Sequence, residues 1–139
     1  MTPQEIALKS AEALWSQDLA AQTLGIEIDA VSPGGAALSM TVTKAMTNGH
    51  GVGHGGYIFL LADTAFAYAC NSHNVRAVAQ HCSILYLKPA REGARLTAVA
   101  REVRRVERNG VYDVSVSDET GAAIAEFRGH SRATPASLF

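Results

Sequence analysis

An apolar segment over positions 57–68 constrains the fold most, because a single carboxylate interrupts it. The segment reads YIFLLADTAFAY, and its only charged side chain is Asp63. On a helix, the side chains three and four positions from Asp63 are all apolar. They are Phe59, Leu60, Phe66 and Ala67. Such a helix must be covered on most sides, and a curved sheet covers it only in part. The segment therefore also predicts a partner chain.

The pattern around this helix predicts a helix, two strands, the central helix and four further strands. The predicted helices are 3–18 and 55–72, and the predicted strands are 24–31, 36–43, 75–87, 95–108, 111–117 and 122–133. The Asn109–Gly110 pair predicts a hairpin turn. Hairpin connections join antiparallel neighbours, so the sequence favours one antiparallel sheet and the α+β class.

Length and composition fit one globular domain over residues 1–139. Apolar residues make up 47% and charged residues 18% of the 139 positions. No apolar run is long enough for a membrane span, because Asp63 and Thr64 interrupt the longest one. The start, MTPQEIALKS, lacks a secretory signal pattern. Two cysteines fit reduced thiols, so we expect a cytoplasmic protein.

The net charge of −1 is unevenly distributed. Residues 1–74 hold two basic and six acidic side chains, whereas residues 75–139 hold ten basic and seven acidic ones. The basic half is either a solvated face of a sheet or a binding surface for an anionic ligand such as a phosphate carrier. The excess is too small to indicate nucleic acid binding.

Asp63 itself has two interpretations. Burying an unpaired carboxylate costs several kcal/mol or raises its pKa. Either the carboxylate bonds to local backbone or a partner and is structural, or it is a general base or nucleophile at the floor of a small pocket.

The HGG tripeptide at 54–56 opens the same helix. Backbone N–H groups at a helix start are unpaired and lie at the positive end of the dipole. Glycine lets a ligand approach them, so they can hold a developing oxyanion. The alternative is a simple glycine hinge.

The spacing between the two features predicts a shared site. Gly55 and Asp63 are eight positions apart, or about 12 Å along a helix. One ester or thioester cannot touch both. Two antiparallel copies of the helix about a two-fold axis place the start of one beside the middle of the other. We therefore expect a dimer, or a dimer of dimers, with two composite sites.

Other chemistries fit the sequence poorly. His50 and His54 lie in a glycine loop without the glutamate of a zinc protease motif, so we expect no metal. The sequence contains no Gly-x-Ser-x-Gly motif and no P-loop. Gly51, Gly53 and Gly56 match a dinucleotide spacing, but no βαβ unit follows, so we expect no cofactor.

The stretch GHGGYIFLLADTAFAYACNS closely resembles the signature of the hotdog-fold acyl-CoA thioesterases of phenylacetic acid degradation, the PaaI-type enzymes. The resemblance extends to the N-terminal helix and to CSILYLKPAREGARLTAVA. It implies a hotdog fold, with a curved antiparallel sheet around a long central helix. It also implies hydrolysis of phenylacetyl-CoA, ring-hydroxylated phenylacetyl-CoA or related acyl-CoA thioesters to free acid and CoA, by a cytoplasmic homo-oligomer, with a homotetramer expected.

The resemblance assigns roles position by position. Asp63 is expected as nucleophile or general base, and Gly55 as the N–H donor to the thioester carbonyl. His54 is expected to position that carbonyl region, Asn48 to help hold water or the thioester, and Thr64 to orient water.

The candidate ligands for the CoA phosphates, chosen by charge and by position near strand ends, are Lys88, Arg91 and Arg105.

Two other functions stay open. A hotdog hydratase or dehydratase usually uses an Asp–His pair across the site. In a non-catalytic acyl-CoA-binding protein, Asp63 would be structural.

Overall fold

Six strands form one antiparallel sheet in the computed structural model, which describes residues 1–139. The strands are β1 Glu27–Ser32, β2 Gly35–Thr41, β3 Ala77–Tyr86, β4 Arg95–Val106, β5 Asn109–Ser117 and β6 Ala123–Ala133. Their order across the sheet is β1-β2-β4-β5-β6-β3. The predicted single antiparallel sheet is confirmed. Because β1 and β3 lie at the two edges, each has one side without a strand partner in this chain.

Three α-helices accompany the sheet. They are α1 Pro3–Trp15, α2 Leu19–Thr23 and α3 Gly55–Cys70, and a 3₁₀ turn covers Lys44–Met46. The Thr2 hydroxyl accepts the Glu5 N–H at 3.1 Å and caps the start of α1. None of the helices combines the length and the apolar character that a membrane span requires.

The central helix α3 contacts all six strands. Neighbouring strands are about 4.8 Å apart, whereas a helix with its side chains is about 10 Å wide. A helix can therefore touch six strands only if the sheet curves around it. The Phe66 ring lies between those of Tyr112 and Phe127, with centroid distances of 5.6 and 5.8 Å. This is the predicted α+β hotdog architecture.

Both predicted helices end earlier than predicted. Helix α1 ends at Trp15 instead of residue 18, because Asp18 begins a second helix that the spacing did not indicate. The Asp18 carboxylate accepts the N–H of Ala21 at 3.2 Å and caps α2. Central helix α3 ends at Cys70, two residues before the predicted end.

The hairpin between β4 and β5 also differs, and the predicted turn at Asn109–Gly110 is wrong. The turn residues are Glu107 and Arg108, and Glu107 has a positive φ of 56°. Gly110 lies within β5, where an added Cβ would be 2.5 Å from Ser131 Oγ. Glycine at this position therefore allows close packing of β5 on β6 instead of making the turn.

The side chain of Asn71 joins the end of α3 to the start of β3. Its Nδ2 donates to the carbonyl oxygens of Ala67 at 2.9 Å and Ala77 at 3.1 Å. Its Oδ1 accepts the Ala77 N–H at 3.0 Å. Asn71 is only 4% exposed. If its side chain were removed, these backbone groups would lose hydrogen bonds that water could not easily replace. This Asn71 clamp fixes β3 relative to α3.

We predict that Asn71→Ala lowers the free energy of unfolding by about 1–3 kcal/mol, the cost of buried unpaired polar groups. Asn71→Asp should cost at least as much, because a carboxylate would face two carbonyl oxygens. Urea unfolding measures both. The matched control is Asn109→Ala, whose exposed side chain bonds Gln80 and Arg132 and should change stability by about 0.5 kcal/mol or less. Equal losses for Asn71→Ala and Asn109→Ala would contradict the clamp.

Candidate active site

Asp63 lies on the part of α3 that the sheet covers only in part. Half of the sixteen positions of α3 are buried. Gly55, Tyr57 and Phe59 near its start are half-buried, and a second set of exposed or half-buried positions runs on along the helix: Gly56, Leu60, Asp63, Thr64 and Ala67. Because they recur every three or four residues, they line one face of the helix. We call this set the open stripe. A carboxylate therefore lies at the centre of an otherwise mostly apolar surface.

The Asp63 carboxylate has one hydrogen-bond partner in the chain, the thiol of Cys82 on β3. The Cys82 Sγ lies 3.9 Å from Asp63 Oδ1. Burial raises the pKa of Asp63, and the thiol hydrogen bond offsets this only in part. A structural carboxylate normally has stronger partners, so this environment favours a general base or nucleophile.

The start of α3 keeps one backbone donor available. His54 is the N-cap, and its Nδ1 accepts the Gly56 N–H at 2.9 Å. We expected the N–H groups of HGG to be unpaired, and this was wrong for two of the three. The His54 N–H donates to the Met46 carbonyl oxygen at 2.7 Å, and the His54 ring accepts the Gly56 N–H. The Gly55 N–H has no acceptor in the chain. The Gly55 N–H is therefore still free to donate, and its role as donor to the thioester carbonyl remains a prediction.

The sequence reasoning missed Tyr86, which contacts Gly55 directly. The Tyr86 hydroxyl donates to the Gly55 carbonyl oxygen at 2.8 Å. A Cβ at position 55 would lie 2.9 Å from Cζ of that ring. The Tyr86 ring therefore favours glycine at position 55. The available signal was the alternation of Cys82, Ile84 and Tyr86, which share the β3 face toward α3.

A cleft of about 320 Å³ opens beside Gly55. Its lining is mixed, with apolar side chains, two glycines and one cation: Gly53, Gly55, Ile58, Tyr86, Leu87, Lys88 and Pro89. The structure therefore brings Lys88 to the same place as Gly55. A cleft that offers both apolar side chains and a cation suits an acyl chain attached to an anionic carrier.

Asn48 and Thr64 are partly committed to local bonds. Asn48 Oδ1 accepts the N–H groups of His50 at 2.9 Å and Val52 at 3.4 Å, and its amide NH₂ has no partner in the chain. The Thr64 hydroxyl donates to the Leu60 carbonyl oxygen at 2.6 Å. Asn48 can thus still donate and Thr64 can still accept, and their roles remain predictions.

The other two predicted phosphate ligands lie elsewhere in the chain. Arg91 lines a separate depression together with acidic residues of the β5–β6 turn. Arg105 lies near the hairpin end of β4, where its Nε is 3.1 Å from Glu102 Oε1. Lys88 follows β3 at the opposite end of the sheet. A single chain therefore brings only Lys88 to Gly55.

Comparison with known proteins gives consistent matches. The family model of the thioesterase superfamily matches residues 50–125. The chain is 45% identical over 125 residues to acyl-coenzyme A thioesterase PaaI of Escherichia coli (strain K12), covering 90% of this chain and 89% of that protein.

Solved structures agree with these matches. The structure of the E. coli PaaI protein from the phenylacetic acid degradation operon matches with a TM-score of 0.96 and 41% identity, covering 98% of this chain and 99% of that chain. A Streptococcus mutans UA159 protein bound to acetyl CoA matches with a TM-score of 0.76 and 28% identity, covering 78% of this chain and 88% of that one.

We predict that Gly55→Ala lowers the free energy of unfolding by about 1–3 kcal/mol, because the new Cβ overlaps the Tyr86 ring. In a Tyr86→Ala background most of this cost should disappear, and a double-mutant cycle by urea unfolding measures the coupling. Gly49→Ala is the control, since nothing lies within 4 Å of a Cβ there. An equal cost of Gly55→Ala in both backgrounds would show that the ring contact is not responsible.

Proposed function

Since this chain belongs to the thioesterase superfamily and is an acyl-CoA thioesterase of the PaaI type, we propose that Asp63 and Gly55 carry out the hydrolysis in a site shared by two chains. The observation that carries the proposal is the position of Asp63 at the centre of the open stripe. Gly55, with an unpaired N–H, lies on the same helix about 12 Å away. One thioester cannot reach both groups in one chain.

The edge strand β3 supports the two-fold arrangement. Its outer side has no strand partner, and it carries exposed apolar side chains, with Val78 53% and Leu85 61% exposed. An exposed apolar edge is a template for pairing with another chain. Two β3 edges paired about a two-fold axis continue one sheet into the other. The two α3 helices then run antiparallel with their open stripes together.

In this site the Gly55 N–H of one chain donates to the thioester carbonyl oxygen. Asp63 of the other chain attacks the carbonyl carbon or takes a proton from an attacking water. The carbon–sulfur bond breaks, the CoA sulfur leaves as a thiolate and takes up a proton, and the acyl group ends as the free acid. If Asp63 attacks directly, water then hydrolyses the mixed anhydride. Lys88 beside Gly55 is suited to a CoA phosphate.

The hydratase or dehydratase alternative is less well supported. Such chemistry needs a histidine paired with the carboxylate, but the partner of Asp63 in the chain is Cys82. His54 Nδ1 is already engaged by Gly56. A non-catalytic binding protein is the other alternative, and it predicts no release of thiol.

A thiol-release screen tests the function. Phenylacetyl-, hydroxyphenylacetyl-, benzoyl- and straight-chain acyl-CoAs are supplied in turn, and free CoA is measured. We expect the aryl-acetyl thioesters to react fastest. Release that is absent with every thioester would support a binding protein instead.

We predict that Asp63→Asn nearly abolishes thiol release while leaving the fold intact, because it removes the only carboxylate of α3. Circular dichroism controls for folding. Asp63→Ala is a poorer test, because it also opens a cavity. Turnover at the wild-type rate in Asp63→Asn would exclude Asp63 as base or nucleophile.

The same substitution should change the pH dependence of stability. The folded-state pKa of Asp63 is raised by burial above the unfolded value of about 3.9. Its contribution to stability is therefore complete below the unfolded pKa and is lost as pH rises through the folded pKa. Asp63→Asn should stabilise the protein at neutral pH, and this gain should vanish in acid. Denaturant unfolding at neutral and at acid pH measures the free energy of unfolding of both proteins. If Asp63→Asn were still more stable than wild type in acid, the pKa of Asp63 would not be raised in the folded state.

Complementation tests the composite site. Asp63→Asn and Gly55→Pro are each expected to be nearly inactive as homodimers, since proline removes the N–H that binds the oxyanion. In a mixed dimer one site has both defects and the other has none. Random mixing makes about half of the dimers mixed, so co-expression should restore roughly a quarter of wild-type activity. Circular dichroism must show that Gly55→Pro folds. Mixed dimers as inactive as their parents would place each site within one chain.

A further inference from the structure

We propose that Cys82 is a positioning residue for Asp63, with a neutral thiol that donates to the carboxylate and orients it without supplying a cationic partner. This inference rests on the proposed function of Asp63 and concerns a residue outside the reacting groups. The thiol is the one side-chain donor that contacts the carboxylate in the chain, at 3.9 Å between Sγ and Oδ1.

The position of Cys82 is fixed by the fold on both sides. The strand β3 that carries it is paired along its length with β6, where Cys82 lies opposite Gly129. The Asn71 clamp ties the start of β3 to the end of α3. Sulfur and carboxylate are therefore held by two elements whose relative position is set by buried hydrogen bonds.

A thiol suits this task because it is neutral and a weak donor. An arginine or lysine would form a charge-assisted bond, lower the pKa of Asp63 strongly and reduce its reactivity as a base or nucleophile. A purely apolar neighbour would raise the pKa further by desolvation. Burial and the charge of Asp63 raise the pKa of Cys82 itself, so the thiol stays protonated and able to donate near neutral pH.

Few other titratable groups act on this pair. Cys70, on α3 itself, is buried, and burial together with the Asp63 charge raises its pKa to about 12, so it is neutral. Glu102 of β4 and Tyr112 of β5 bond to each other at 2.8 Å. No lysine, arginine or histidine is among the groups that shift the pKa of Asp63 or Cys82.

Alkylation of the thiol tests the contact without any turnover. Wild type and Asp63→Asn are treated with iodoacetamide across a range of pH, and peptide mass spectrometry separates Cys82 from the buried Cys70. Loss of the carboxylate charge should make the Cys82 thiolate easier to form. At a fixed pH below the pKa of the thiol, Cys82 should therefore be alkylated several-fold faster in Asp63→Asn than in wild type. An unchanged rate profile for Cys82 overturns the proposal, whether or not Asp63→Asn retains activity.

The pH profile of kcat/KM tests the effect on the carboxylate. Cys82→Ala removes the hydrogen bond that lowers the Asp63 pKa, so the acid limb should move to higher pH. Relative to wild type, kcat/KM of Cys82→Ala should fall several-fold at the acidic pH values of that limb and less at higher pH. Cys82→Ser keeps a donor and should lie nearer to wild type. Ser83→Ala, next on the strand and facing the opposite side, should match wild type.

The two readouts separate this inference from the proposed function. A uniform loss at every pH in Cys82→Ala would mean that Cys82 acts through packing alone, and the positioning role would be wrong. Full activity in Asp63→Asn would defeat the role of Asp63 in hydrolysis, while the alkylation profiles would still show whether thiol and carboxylate interact.

Discussion

Covering an almost entirely apolar helix is the constraint on which the rest of the molecule depends. A single sheet can cover α3 only if it curves, and contact with all six strands shows that it does. Small residues on the inner face of the sheet make room for the helix. At Gly129 an added Cβ would lie 2.8 Å from the Phe66 ring. The curved sheet covers the open stripe only in part, and Asp63 lies within that stripe.

Two aspartates show how position determines what a carboxylate can do. Asp113 lies on the outer face of the sheet, where Arg128 Nε is 2.6 Å from its carboxylate. The hydrogen bond from Arg128 holds the pKa of Asp113 below its usual range. Asp63, with only a thiol beside it, has its pKa shifted the other way. The same functional group is structural when fully paired and becomes a candidate base when it is left nearly unpaired.

The sequence predicted the elements well and their contacts poorly. Apolar alternation and helical spacing located five of the six strands within two residues of their ends; only the start of β1 lay further off. The hairpin turn failed because Gly110 is needed for close packing on β6, a requirement that local propensity does not contain. Cys82 and Tyr86 were missed for a related reason. Period-two alternation tells which face a strand residue occupies, but it does not tell which helix residue that face will meet.

Strand β3 separates two tasks by the direction of its side chains. Cys82, Ile84 and Tyr86 face α3, whereas His81, Ser83 and Leu85 alternate with them and face away. A substitution at an even position in this stretch alters the surroundings of Asp63 or Gly55. One at an odd position alters the outer surface, where the exposed Leu85 belongs to the β3 edge proposed to pair with a second chain. Residues adjacent in sequence therefore act on the reaction by different routes, the even positions through the surroundings of the reacting groups and the odd ones through the contact between chains.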